Sequence, residues 1–162
     1  MVVTAPAELL APGAPPHDPP AHRSSSRFAL RARGLLLYVY LAAGGVIGTL
    51  ARYGLGQWVP AWARTGFPWH TFLINVAGSL VLGFAMRAFD TLPVTPELRA
   101  FVAVGLCGAF TTFSTFSFET VKLMQDGHWG RASLYAAGSV AVGLLAVFAG
   151  MALAGAAIRP RA

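Results

Sequence analysis

The run from Gly105 to Glu119, GLCGAFTTFSTFSFE, sets glycines, hydroxyls and phenyl rings inside a long apolar segment. Hydrocarbon offers polar groups no partners, so such a stretch must satisfy itself internally, against neighbouring helices or on a bound ion. Gly105 and Gly108 loosen the helix, and the Thr111-Thr112 pair can bond nearby carbonyls. The residues alone admit both a break over 108–112 and an unbroken helix with back-bonded hydroxyls. A break would end the first half in free carbonyls that suit a bare cation. The second half would then start with free N–H groups and a positive dipole end that suit an anion. Phe113 and Phe116 share a side, with Phe110 one turn earlier. Rings at this spacing ordinarily pack or face lipid. Turned edge-on, their positive rims can also line an anion path without a full charge to trap the ion.

Two other segments supply polar pairs four residues apart, Thr71 with Asn75 and Tyr135 with Ser139. Each pair puts O–H or amide donors on one helix face. Taken singly they are interhelical glue, worth about 0.6 kcal/mol each. With Ser114 and its neighbours they make three polar stripes on three helices, the pattern of a donor-lined path. Glu119 is the one acid within a span. It suits either an ion pair with Lys122 or an acceptor that orients hydroxyls. Arg52, near the end of its segment, suits either snorkelling or drawing anions into a vestibule.

Enzymatic chemistry finds no support. His70 and His128 stand alone at segment ends, and HExxH, GxSxG and glycine-rich phosphate loops are all missing from the sequence. Cys107, the only cysteine, allows neither an intrachain disulfide nor a thiolate metal cage and reads as a small apolar filler.

The elements that hold these residues are membrane helices. The chain of 162 residues is 56% hydrophobic and 11% charged, against roughly 25% charged in soluble domains, which leaves no room for a soluble catalytic domain. Its net charge of +6 lacks the basic, aromatic-interleaved runs that bind nucleic acid, so no nucleic-acid partner is expected. Residues 1–33, rich in proline and ending in Arg23, Arg27, Arg31 and Arg33, read as a disordered basic tail. Four apolar stretches follow within residues 34–158, at roughly 34–58, 68–89, 98–126 and 129–157. Each suits a span of about 20 residues. Pro60, Arg64 and Gly66 mark the first loop, 90–97 the second, and Asp126-Gly127-His128 a tight third turn. The fold class is therefore an all-α integral membrane protein, a four-helix bundle in lipid with both termini on one side. Gly44/Gly48, Ser79/Gly83 and Ser139/Gly143 have the small-xxx-small spacing of close helix contacts.

The run from Gly108 to Ser117 with Glu119, preceded by Asn75-Val76-Ala77-Gly78-Ser79 and by Gly44 through Arg52-Tyr53, resembles the Fluc (CrcB) family of fluoride channels over about residues 40–155. The resemblance implies a small channel of the inner, cytoplasmic membrane that lets fluoride leave the cell and so lowers its toxicity. It implies an antiparallel homodimer with paired pores and a structural sodium ion (Na+) at the dimer interface, held by backbone carbonyls of Gly108 and Thr111. By the same resemblance Phe113, Phe116 and Asn75 line the fluoride pore, Thr71, Ser114, Tyr135 and Ser139 form its polar track, and Glu119 and the vestibule arginine Arg52 match too. A selective pore must replace the water around a small, strongly hydrated anion with many weak donors, which these residues supply. Two departures stand out. Gly143 falls where some members carry a hydroxyl, and the arginine tail exceeds the usual short N-terminus, which leaves room for a second related subunit. The rival reading is a small dual-topology multidrug transporter, but the first segment lacks the embedded carboxylate that proton-coupled drug export needs.

Orientation follows Lys/Arg asymmetry in short loops. Arg87, Arg99, Arg159 and Arg161 fall on the terminus side and Arg52, Arg64, Lys122 and Arg131 on the other, so the core is balanced and only the tail tilts the termini toward the cytoplasm. Reporter fusions at the C-terminus are expected to register both orientations once the tail arginines are removed. A single orientation in that variant would end the idea of dual insertion.

Overall fold

In a chain this apolar, each backbone N–H and C=O must be bonded within its own segment, and the helix is the local solution. The computed structural model describes the backbone of residues 21–58 and 66–158 and the side chains of 33–58 and 66–158. Its elements are α1 (Ala21–Trp58), α2 (Trp69–Thr91), α3 (Pro96–Arg99), a π-helix (Ala100–Cys107), α4 (Gly108–Phe110), α5 (Phe113–Gln125) and α6 (Trp129–Ala157). Among the described residues there is no strand, and four stretches are long and apolar enough to cross a membrane: Arg33–Trp58, Trp69–Thr91, Pro96–Gln125 and Trp129–Ala157. It is a multi-pass membrane protein.

The expected segments stand, with two differences. Helix α1 begins at Ala21 rather than near residue 34. All prolines of the N-terminal region lie within 6–20, and the stretch that follows is built largely of Ala, Arg, Leu and Ser, which a helix accepts. The remainder of the expected tail, 1–20, lies outside the described residues, as do Pro60, Arg64, Arg159 and Arg161. The third span is also more divided than expected, since a π-helix precedes its break. Nothing in the run AFVAVGLC signals a wider turn.

Local signals set the ends. Thr95 caps α3 by accepting the Leu98 N–H at 3.2 Å, with Pro96 at the first helical position. Arg99 then donates to the last-turn carbonyl of Phe89 in α2 at 3.0 Å while its guanidinium lies 5.4 Å from the Phe89 ring centroid. Gly127, at φ 78°, closes α5 in the left-handed conformation. The His128 N–H reaches back to Leu123 O at 2.8 Å, a Schellman closure that makes the predicted tight turn.

Small residues decide which backbones meet. A Cβ on Gly44 or Gly48 of α1 would collide with the carbonyl of Phe101 or Leu106, so α1 lies directly on the π-helix. On the other side α2 packs most extensively against α6. There a Cβ on Gly83 would meet the Val147 carbonyl, and one on Gly150 the backbone of Leu80 and, at 2.7 Å, the Phe84 nitrogen. Dispersion at such contacts replaces the hydrophobic drive that lipid cannot provide. Near the start of α2 and α6, Tyr135 and Ala132 are fully buried with Leu123, under Phe67, Phe72 and Phe116.

Gly150→Ala is expected to destabilise the protein in detergent by about 1–3 kcal/mol, as overpacking does, and so to lower its thermal midpoint. Gly130→Ala, whose Cβ has open space, should leave the midpoint unchanged or raised. Circular dichroism melts of the two variants provide the comparison.

Candidate functional site

The third span breaks at two residues. Thr111 (ψ 160°) and Thr112 (φ −149°, ψ 112°) are extended, within the expected window of 108–112. The Thr111 N–H and hydroxyl both go to Cys107 O, each at 3.0 Å. The Thr112 N–H, which an unbroken helix would aim at Gly108 O, instead donates to Asn75 Oδ1 at 2.8 Å, and Asn75 Nδ2 returns a bond to Thr112 O at 3.1 Å. The Thr115 N–H, due to Thr111 O in a continuous helix, is taken by Thr112 Oγ1 at 3.2 Å, which caps α5. The same hydroxyl lies 3.0 Å from Thr115 Oγ1 and 3.3 Å from Ser114 Oγ. Two side chains, Asn75 and Thr112, have thus taken the donors that would have served the carbonyls of Gly108 and Thr111. Among the described residues no group of three His, Cys, Asp or Glu side chains gathers. A cation held at this break would be held by neutral oxygens.

A second cluster lies at the start of α2 and α6. Glu119 accepts the Thr71 hydroxyl on Oε1 at 3.0 Å and the Tyr135 hydroxyl on Oε2 at 2.7 Å. Thr71 and Tyr135 are completely buried. The ion pair of Glu119 with Lys122 is not formed, because Lys122 turns to Asp126 one turn further on, at 3.5 Å. The acceptor reading of Glu119 is the one realised.

Two cavities flank the break. One of about 690 Å³ is lined by Arg52, His70, Thr71, Thr112, Ser114 and Thr115 among others. The His70 ring packs over Gly56, with Nε2 3.4 Å from Arg52 O. The other cavity, of about 310 Å³, is lined by Asn75, Ser79, Thr112, Phe113, Phe116 and Ser139, with Gly108 and Thr111 at its edge. Thr112 belongs to both, so the break is the partition between them. The predicted residues are divided accordingly: Arg52, Thr71 and Ser114 on one side, Asn75, Phe113, Phe116 and Ser139 on the other. Glu119 reaches a third cavity, of about 300 Å³, with Lys122, His128 and Arg131.

Phe113 is 79% exposed, with its ring centroid 5.6 Å from that of the half-buried Phe116, which in turn lies 5.2 Å from Tyr135. Phe110 does not continue this row. The extended Thr111-Thr112 pair changes the helical phase, and Phe110 lies instead against Gly78 of α2. The Ser139 hydroxyl oxygen is buried without a hydrogen-bond partner. An unpaired buried hydroxyl costs about 1–3 kcal/mol.

A family model described as "CrcB-like protein, Camphor Resistance (CrcB)" matches residues 39–151. The chain belongs to the CrcB family. CrcB relatives named "Fluoride-specific ion channel FluC" include one from Thermus thermophilus, 46% identical over 77% of this chain and 98% of its own length. Another, from Chlorobaculum tepidum, is 47% identical over 70% of this chain and 90% of its own. "Fluoride-specific ion channel FluC 2" of Geobacillus kaustophilus is 49% identical over 72% of this chain and 92% of its own. None of these names is that of an enzyme. The matched region begins after the N-terminal stretch and takes in the break, both polar clusters, Phe113 and Phe116.

Sequence reasoning missed Thr112 as the residue that organises the break. Its signal was the spacing of Thr112 to Thr115, that of a cap hydroxyl to the third helical N–H. His70 and Ser79 as cavity-lining residues were missed as well.

Asn75→Leu is expected to strand the N–H and carbonyl of Thr112 together. Unfolding in detergent should show a loss of about 2–6 kcal/mol, two unpaired groups at about 1–3 each. Recovery to a smaller loss would mean that the Thr112 N–H had returned to Gly108 O and closed the break.

Proposed function

We propose that the chain is a fluoride-selective channel that lets fluoride leave the cell passively across the cytoplasmic membrane, lowering its toxicity. The observation that carries this reading is the smaller cavity: phenyl rings, an amide and hydroxyls line it, one hydroxyl is unpaired, and among the described residues no charged side chain enters. Such a lining exchanges the hydration shell of a small anion for several weak contacts without binding it too firmly to release. The names of the relatives support it.

Each residue then has a part. Arg52 raises the local anion concentration in the larger cavity. Fluoride passes Ser114 and the Thr112 partition and meets Asn75, Ser139 and the edges of Phe113 and Phe116. At Glu119 the protons of Thr71 and Tyr135 are committed to carboxylate oxygens, so an arriving fluoride takes a hydroxyl proton contact in exchange for one of them. Glu119 thereby keeps both hydroxyls oriented between passages.

The working unit is an antiparallel homodimer in the lipid bilayer. The 79% exposure of Phe113 supports this, since a ring that lines a path needs a second wall, and a second copy provides one. A structural Na+ sits at the dimer interface on carbonyls of Gly108 and Thr111. The loss of their helical donors to Asn75 and Thr112 supports this assignment, because neutral carbonyl oxygens suit a hard monovalent cation.

Fluoride-electrode efflux from liposomes reconstituted with purified protein tests the reading. Wild-type protein should release fluoride and retain chloride. Phe113→Ile and Phe116→Ile should each slow release at least about tenfold, equivalent to about 1.4 kcal/mol. Wild-type rates in both variants would remove the ring path, and proton-coupled drug flux without fluoride flux would favour the multidrug transporter. Purification with N-methylglucamine in place of sodium should weaken assembly or flux. Indifference to sodium would remove the cation from Gly108 and Thr111.

A further inference from the structure

Helices α2 and α6 are both even-numbered spans and so run parallel, and their polar residues recur every four positions on each. Thr71, Asn75 and Ser79 follow one another on α2, and Tyr135, Ser139 and Gly143 on α6. The rows are in register. At the first level Thr71 and Tyr135 share Glu119. At the second Asn75 and Ser139 line one cavity. At the third, a Cβ on Gly143 would meet only Ser79 Oγ, at 3.8 Å. A fourth contact, Gly83 on Val147, keeps the same interval and closes the groove with backbone.

The row on α6 therefore stops at Gly143, which has no side chain to offer. The facing residue on α2 does have one. Ser79 lines the same cavity as the unpaired Ser139 hydroxyl, beyond Asn75 as seen from Glu119. We infer that Ser79 is a fluoride-contacting residue, and that it supplies from α2 the hydroxyl that the third level lacks on α6. The path is handed from Ser139 to Ser79, crossing from one helix to the other.

This inference rests on the fluoride-channel reading, and its test keeps the two apart. Ser79→Ala deletes a single oxygen and conserves the helix and the small size the contact needs. Liposome efflux by this variant should be at least about tenfold slower than wild type, with unchanged elution in gel filtration. Gly143→Ser places a hydroxyl across the gap with only an ordinary van der Waals approach to residue 79. In the double variant Ser79→Ala/Gly143→Ser it should restore most of the lost rate, which a purely structural role for Ser79 would not predict. Wild-type efflux by Ser79→Ala overturns the inference and leaves the channel reading intact. So does a double variant no faster than the single one. A wild-type protein that passes no fluoride would end the channel reading itself, and this inference with it.

Discussion

Interrupting a helix inside a membrane exposes peptide groups that hydrocarbon cannot satisfy, at several kcal/mol for each. Here one amide side chain meets that demand. Asn75 offers an acceptor and a donor, and both engage the N–H and carbonyl of the same residue, Thr112. The match is that of one peptide to another, so the amide replaces the neighbouring helical turn. Around this pair further groups are satisfied locally: Thr112 caps α5, and Cys107 O takes two bonds from Thr111. The carbonyls of Gly108 and Thr111 are among the groups left without their helical donors.

Among the described residues, full charge stays out of the lining of the smaller cavity. The carboxylate of Glu119 is held at one end by two neutral hydroxyls, and Arg52 opens on the larger cavity. The smaller cavity offers only groups that carry partial charge. Glycine contacts make this arrangement rigid, because α2 is pinned to α6 at Gly83 and Gly150, and Gly78 admits Thr111 and Phe110 beside the break.

Much of this was legible in the residues. Apolar length gave the four spans, Asp126-Gly127-His128 gave the last turn, and the crowding of Gly108, Thr111 and Thr112 admitted a break without deciding it. The polar pairs at four-residue spacing marked the faces of α2 and α6. What spacing could not reveal was pairing across helices. That Lys122 turns to Asp126 and leaves Glu119 to Thr71 and Tyr135 depends on which helix faces which. The phase of Phe110 was misread for a related reason, since periodicity holds only while the helix is continuous. The early start of α1 reflects local propensity winning over overall composition.

The π-helix between α3 and α4 carries a consequence for sequence change. A wider turn accommodates residues that a regular helix could not fit into the same number of turns. Losing one residue from Ala100–Cys107 is taken up by a return to regular winding with the flanks near their present phase, whereas gaining one without further widening would rotate everything before it by about 100° relative to the break. Arg99 would then leave the Phe89 carbonyl, and Phe101 would leave the groove beside Gly44. The segment thus behaves as a length register: its side chains tolerate exchange among apolar types, while its residue count does not tolerate an increase.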